Sequence, residues 1–420
     1  MTDITDKVMA HVQHLCIDIG HRPAGSPQNK AAAEYIERVF RDCGLTCERQ
    51  VFNCPSWECH ETLLELGNRP LEASANWRSI PGDVTGPTVA VGALEELQHT
   101  ELAGRIAILY GVLTQDEISN RDSTVYYPPD HRKINTIIDK KHPLAVITVT
   151  PFLHSLRHVI KDPDMPVPSV TVMPEIGLEL VRHAGETVHL RIESKCFQDT
   201  SWNVIGSRPG KRPERIVISA HYDTVWGSPG AIDNASGVGV MLTLAELLAV
   251  RELPIGLEFY ASSGEEFGGQ GTLAYLEHYG LKEFPFRWDK PVGESSPVWE
   301  PILAMFNIDG VGVELSPNSV TTIAASKAFD NLVSKIKTEK YPSMERVDAW
   351  PASDHYTFYS HGVPSVAFKF EGGIPNLHHH PIDTIQWISP RRLAEVVSFI
   401  TDVLDELQDK TSQWCRVNEG

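Results

Sequence analysis

Five short motifs in the C-terminal half carry the side chains that could do chemistry. They are His221-Tyr222-Asp223, Asp233-Asn234-Ala235-Ser236-Gly237, Gly264-Glu265-Glu266, Asp309-Gly310, and the run from Leu377 through His378, His379 and His380 to Asp383-Thr384. Imidazoles and carboxylates in this mixture are the donors preferred by zinc and similar borderline divalent ions. One structural ion is content with four ligands. Two imidazoles, three carboxylates and a spare glutamate suit two ions that share a bridging carboxylate. The Glu265-Glu266 pair fits a division of labour, in which one carboxylate binds metal and its neighbour takes a proton from water. Taken singly, each motif has a plainer reading. Asp233 would cap a helix, Asp309-Gly310 would be a turn, and Glu265-Glu266 would be a solvated acidic pair.

The elements around these motifs decide between the readings. Apolar runs Arg215–Ala220, Ile255–Ser262, Leu303–Ile308 and Ser365–Phe370 read as strands. Between and after them, Val238–Val250, Thr272–His278, Phe329–Thr338 and Pro390–Leu407 have helical spacing. Such alternation predicts an α/β fold with a mostly parallel central sheet flanked by helices. In that architecture ligands bind beyond the carboxyl ends of the strands. Each of the four strands is followed by one of the motifs, so all of them are expected at one rim. At the N-terminus, His21 to Pro27 reads as a turn, with Ser26 as N-cap and Pro27 opening a helix that Gly44 ends. Residues 62–197 change character. Turn signals alternate there with short β-rich runs, at Thr88–Val91, Arg105–Leu109, Ala145–Val149, Ser169–Val172 and Val188–Ile192, with one or two helices around Lys133–Lys140 and Pro174–His183, which predicts a small β-rich inserted domain. Lys290–Pro301 reads as a loop.

HYD, DNASG, GEE, NIDG and HHxxDT, in this order, resemble the M28 family of di-zinc metallopeptidases, the zinc exopeptidase fold that includes bacterial aminopeptidases. Residues from about 198 to 408 carry that resemblance, the Gly20–Ser26 turn with its helix is similar to the family's opening, and 1–61 with 198–420 are expected to form the catalytic domain. The insert at 62–197 is similar to a protease-associated domain by pattern alone. The resemblance implies that His221 and Asp309 hold one zinc, that Glu266 and His379 hold the other, and that Asp233 bridges them. It implies that Glu265 is the general base and that Asp223 orients His221. His379 takes the ligand role because it stands four residues before Asp383, as the family spacing requires; His380 takes it instead if the register slips by one. The family commonly has tyrosine before this histidine; here His378 stands there, as an oxyanion donor or as support for the ligand. Ser353-Asp354-His355 resembles the family's S-D-H stretch. The implied activity is hydrolysis of peptides from their free amino end. A carboxypeptidase, a glutaminyl cyclase-like acyltransferase and a non-catalytic binding protein share the fold. Cobalt and manganese share the zinc ligands.

Composition narrows the partners. The 420 residues are 41% hydrophobic and 22% charged, which excludes wholesale disorder, and the net charge is −18. So acidic a chain is a poor nucleic-acid or anionic-membrane binder, and a peptide substrate is expected instead. The sequence leaves a homo-oligomer open. Seven cysteines, an odd number, lack zinc-site spacing and follow no secretory leader, so a reducing cytoplasm is expected.

Overall fold

A computed structural model describes residues 4–121, 128–281, 298–350, 352–372 and 377–416. The chain divides into two compact units. One comprises Met1–Cys54, Thr200–His378 and Asp383–Gly420; the other comprises Pro55–Asp199 and His379–Ile382. The strands Thr46–Leu66 and Thr187–Arg208 each begin in one unit and end in the other.

The first unit is built on four adjacent parallel strands, in the spatial order Gly256–Ser262, Arg215–His221, Ile302–Ile308 and Ser365–Phe370. All four read from the sequence as expected, within one or two residues. Antiparallel neighbours flank this centre. The end of Thr187–Arg208 pairs with Gly256–Ser262 on one side, and Asn318–Ile323 pairs with Ser365–Phe370 on the other. The central strands are buried along most of their length, as continuous apolar runs demand. Parallel pairing brings their carboxyl ends to one edge: His221 stands opposite Ser262, and Asp309 directly follows Ile308.

Helix Ser236–Ala249 is the centre of the core. By length and composition Ala231–Ala249 could cross a membrane, yet 83% of that window is buried inside the unit. Its apolar surface is spent on helices Ile4–Gln13 and Pro390–Glu406 and on the sheet. Glycine is required twice on it. A Cβ at Gly239 would lie 2.8 Å from the Val12 side chain, and one at Gly237 would lie 2.3 Å from the Ile308 carbonyl oxygen. The second contact seats the helix start directly behind the strand that delivers Asp309. Helix Pro27–Asp42 begins as its sequence predicts, with the Ser26 hydroxyl accepting from the Asn29 amide.

The second unit has the expected short strands and both expected helices, joined by a pairing that the sequence does not announce. Its strands Gly82–Val91, Ile106–Leu109, Ala145–Val149 and Ser169–Val172 are successive parallel neighbours. Helices Leu94–His99, Pro129–Lys141 and Pro174–Arg182 cover them, around a core that includes Val91, Leu97, Leu109, Ile134, Ile138 and Val146. It is therefore a small α/β unit, because parallel neighbours require crossovers and helices supply them. The six-residue helix Leu94–His99 is too short to give a helical period in the sequence. Of the Lys290–Pro301 stretch, residues 290–297 lie outside the described residues, and 298–301 form a turn.

Candidate metal centre and its supports

His221, Asp233 and Asp309 come together in the first unit, with one donor atom from each lying within 4.8 Å of the others. His221 is the last residue of its strand and is 1% exposed. Its Nε2 lies 3.0 Å from Asp233 Oδ1 and 3.2 Å from Asp309 Oδ1. One N–H can serve only one of two such carboxylates. Three donor atoms turned toward one another, two of them anionic, instead fit a cation held among them. A carboxylate oxygen of Glu266 also lies within 4.8 Å of Asp233. Asp233 thus stands between two donor groups of the same unit, as the bridging role requires.

Each of these residues is held from behind. The buried Asp223 carboxylate lies 3.5 Å from His221 Nδ1 and accepts from the backbone amides of both Glu265 and Glu266, at 3.3 Å each. It therefore fixes the imidazole and the paired-glutamate turn together, which is more than its expected role. Asp383 accepts from the amides of Ile232 (2.7 Å) and Asp233 (3.1 Å), so it positions Asp233 through its backbone. Burial raises the Asp383 carboxyl to about 7, against the pull of those amides.

Three supports were given no role of their own in the sequence reading. Arg22, fully buried, donates from Nε to the Tyr222 carbonyl (2.6 Å) and from its terminal nitrogens to Pro229 (2.9 Å) and Gly230 (3.0 Å). The chain between His221 and Asp233 is thereby tied to one guanidinium. Its signal was present in the Gly20–Ser26 motif, where it looked like part of a turn. Asn234 donates to the Ile308 carbonyl and accepts from the amides of Gly237 and Gly310, which locks the Asp233 loop to the Asp309 loop. It is fully buried, so the Asn234-Ala235-Ser236 triplet is no glycosylation site. Asp354 accepts from the hydroxyls of Ser262 and Thr272, beside the strand end that faces His221. Its neighbour His355 is structural. Asn307 lies 3.2 Å from its Nδ1 and the Trp350 carbonyl 2.8 Å from its Nε2, and burial lowers its pKa to about 4.

The electrostatics follow from this crowding. Burial works against a charged His221, but Asp309, Asp223 and Asp233 outweigh it and hold its pKa well above the usual range. Burial lifts the Glu265 carboxyl well above its ordinary value. His221 opposes this, and Asp309 and Glu266 add to it. A group raised in this way is suited to receive a proton near neutral pH.

The triple histidine divides between the units. His378 belongs to the first and is half-buried; His379 and His380 belong to the second. Within the second unit, His379 Nδ1 lies 2.9 and 3.0 Å from the two carboxylate oxygens of Glu117. His380 is buried, with its Nδ1 2.5 Å from the Ser155 hydroxyl and its ring edge-on to Phe152.

The sequence model of peptidase family M28 matches residues 203–404. Aminopeptidase YwaD of Bacillus subtilis (strain 168) is 27% identical over 421 residues, spanning 95% of this chain and 84% of that protein. The zinc aminopeptidase BSAP from Bacillus subtilis has a similar fold, with a TM-score of 0.75 at 22% identity over 98% of each chain. An M28 peptidase precursor from Shewanella amazonensis SB2B gives 0.77 at 19% identity, over 97% of this chain and 95% of its own. The matched segment runs through the strands and loops that bear His221, Asp233, Glu265, Glu266 and Asp309, and residues 203–404 belong to peptidase family M28.

Proposed function

We propose that this chain is a zinc-dependent exopeptidase that releases amino acids from the free amino ends of peptides. The convergence of His221, Asp233 and Asp309 beside Glu265, at the carboxyl ends of parallel strands, carries the reading. The aminopeptidase relatives support it. His221 and Asp309 would hold one zinc and Asp233 would be shared. Glu266 and His379 would serve a second, an assignment that rests on motif order. Bound there, zinc would supply Lewis-acid chemistry, lowering the pKa of a water and polarising the scissile carbonyl. Glu265 would accept a proton from the attacking water and return it to the departing amine. Asp223 keeps Glu265 in place through its amide, so the carboxylate need not reorganise as charge develops. Acidic side chains around the site suit a substrate ammonium group. The odd cysteine count, without zinc-site spacing, supports a reducing cytoplasm as the setting. The α/β insert is read as a protease-associated-like unit.

Removing the ions tests this reading. Exhaustive chelation should lower kcat on aminoacyl-anilides on the order of a thousandfold, since metal polarisation supplies several kcal/mol, and added zinc should restore it. Hydrolysis that survives chelation with no metal left on the protein would refute it.

A further inference from the structure

We propose that Glu117, carried by the inserted unit, is a positioning residue for His379: it fixes the imidazole with Nδ1 protonated, so that Nε2 is the lone pair offered to the second ion. The inference rests on the assignment of His379 as a ligand under the proposed function. No sequence motif pointed to Glu117, which lies in the loop after strand Ile106–Leu109.

The argument is one of donors and acceptors. Glu117 and His379 are both largely buried, with side chains 12% and 17% exposed. Both carboxylate oxygens face Nδ1, at 2.9 and 3.0 Å. Two cations also hold the carboxylate, Arg157 Nε on Oε1 at 2.9 Å and Lys161 Nζ on Oε2 at 2.8 Å. With a cation on each oxygen, the buried carboxylate is held in its ionised form. An ionised carboxylate has no hydrogen to give, so a bond to Nδ1 requires the hydrogen on Nδ1. Lys161 Nζ also lies 3.0 Å from Nδ1 and could donate to it only if that nitrogen were bare. That arrangement would set a lone pair against two anionic oxygens. Protonated Nδ1 satisfies Glu117, while Lys161 keeps its bond to Oε2. The local backbone is fixed as well, since the Lys161 amide donates to the Ile118 carbonyl and the Ile118 amide to that of Val159.

Carboxylates behind ligand histidines commonly contribute 10–100-fold in metal affinity. The consequence here is specific: loading of the second ion would depend on a side chain from outside the segment matched by the family, residues 203–404.

The test is zinc titration of the metal-free full chain against a chelating dye, read as stoichiometry and affinity rather than turnover. The wild-type chain should bind two ions. Glu117→Gln should bind the second about 10–100-fold more weakly and leave the first unchanged. Glu117→Asp, which keeps the charge between Arg157 and Lys161, should recover part of the loss. Arg121→Ala breaks a separate ion pair of the same unit, with Asp139 and Asp162, and controls for general loosening. It should leave both affinities unchanged, and melting of each metal-free variant reports folding. Second-ion affinity in Glu117→Gln equal to wild type would overturn the proposal, as would an equal loss in Arg121→Ala. A wild-type chain that binds one ion, or a His379→Ala variant that binds two as tightly as wild type, would instead remove the assignment of His379, and the inference with it.

Discussion

Glu265→Gln is expected to lower kcat by about 10²–10⁴-fold while leaving zinc content and KM near wild type. The substitution keeps the shape of the side chain and removes only its capacity to accept a proton. Its place in the turn is set by the backbone, since the amides of residues 265 and 266 are both held by Asp223. The neighbouring Glu266, whose carboxylate lies near Asp233, is untouched, so the donor set survives. Loss of rate without loss of metal is therefore the signature of a proton carrier. Steady-state kinetics on an aminoacyl-anilide, with metal analysis of the same sample, checks it. Activity within tenfold of wild type would remove Glu265 from the proton path, and parallel loss of zinc would recast it as a ligand.

Arg22→Met should destabilise the metal-free chain by about 3–5 kcal/mol. The guanidinium is fully buried and is coordinated by main-chain carbonyls of Tyr222, Pro229, Gly230 and Gly20. Burial lowers its pKa, and Cys16, Asp383, Asp223 and Asp233 pull it back. Methionine fills similar volume but offers these carbonyls no hydrogen, and a buried acceptor left without a partner costs about 1–3 kcal/mol. Three of the four carbonyls belong to the chain between His221 and Asp233, so zinc affinity should fall as well. Urea unfolding in chelator isolates the structural part. A loss below about 1 kcal/mol would mean that water replaces the guanidinium and that Arg22 is not the tie described here.

The parallel centre of the first unit was legible because strands buried on both faces write themselves as apolar runs, and Arg215–His221, Gly256–Ser262, Ile302–Ile308 and Ser365–Phe370 all do. The residues beyond their ends could then be named without coordinates. The flanking strand Asn318–Ile323 was not legible, since its Asn, Ser and Thr residues give neither alternation nor an apolar run. Helix His355–Ser360 was hidden by its length of six residues. In the inserted unit, short strands were visible but their parallel pairing was not, because pairing order has no local signature. Side chains that act across long stretches of chain were hidden for the same reason. Arg22 reaches carbonyls some 200 residues away, and Glu117 meets His379 from 262 residues upstream. Local patterns show what a residue is and what element carries it, and only the fold shows what it meets.

The central claim is best tested with two peptides identical except for acetylation of the amino terminus, incubated with the zinc-loaded chain and followed by mass spectrometry. The account predicts stepwise loss of single residues from the free amino end and no cleavage of the acetylated peptide. Shortening from the carboxyl end, or cleavage of both peptides alike, would contradict it.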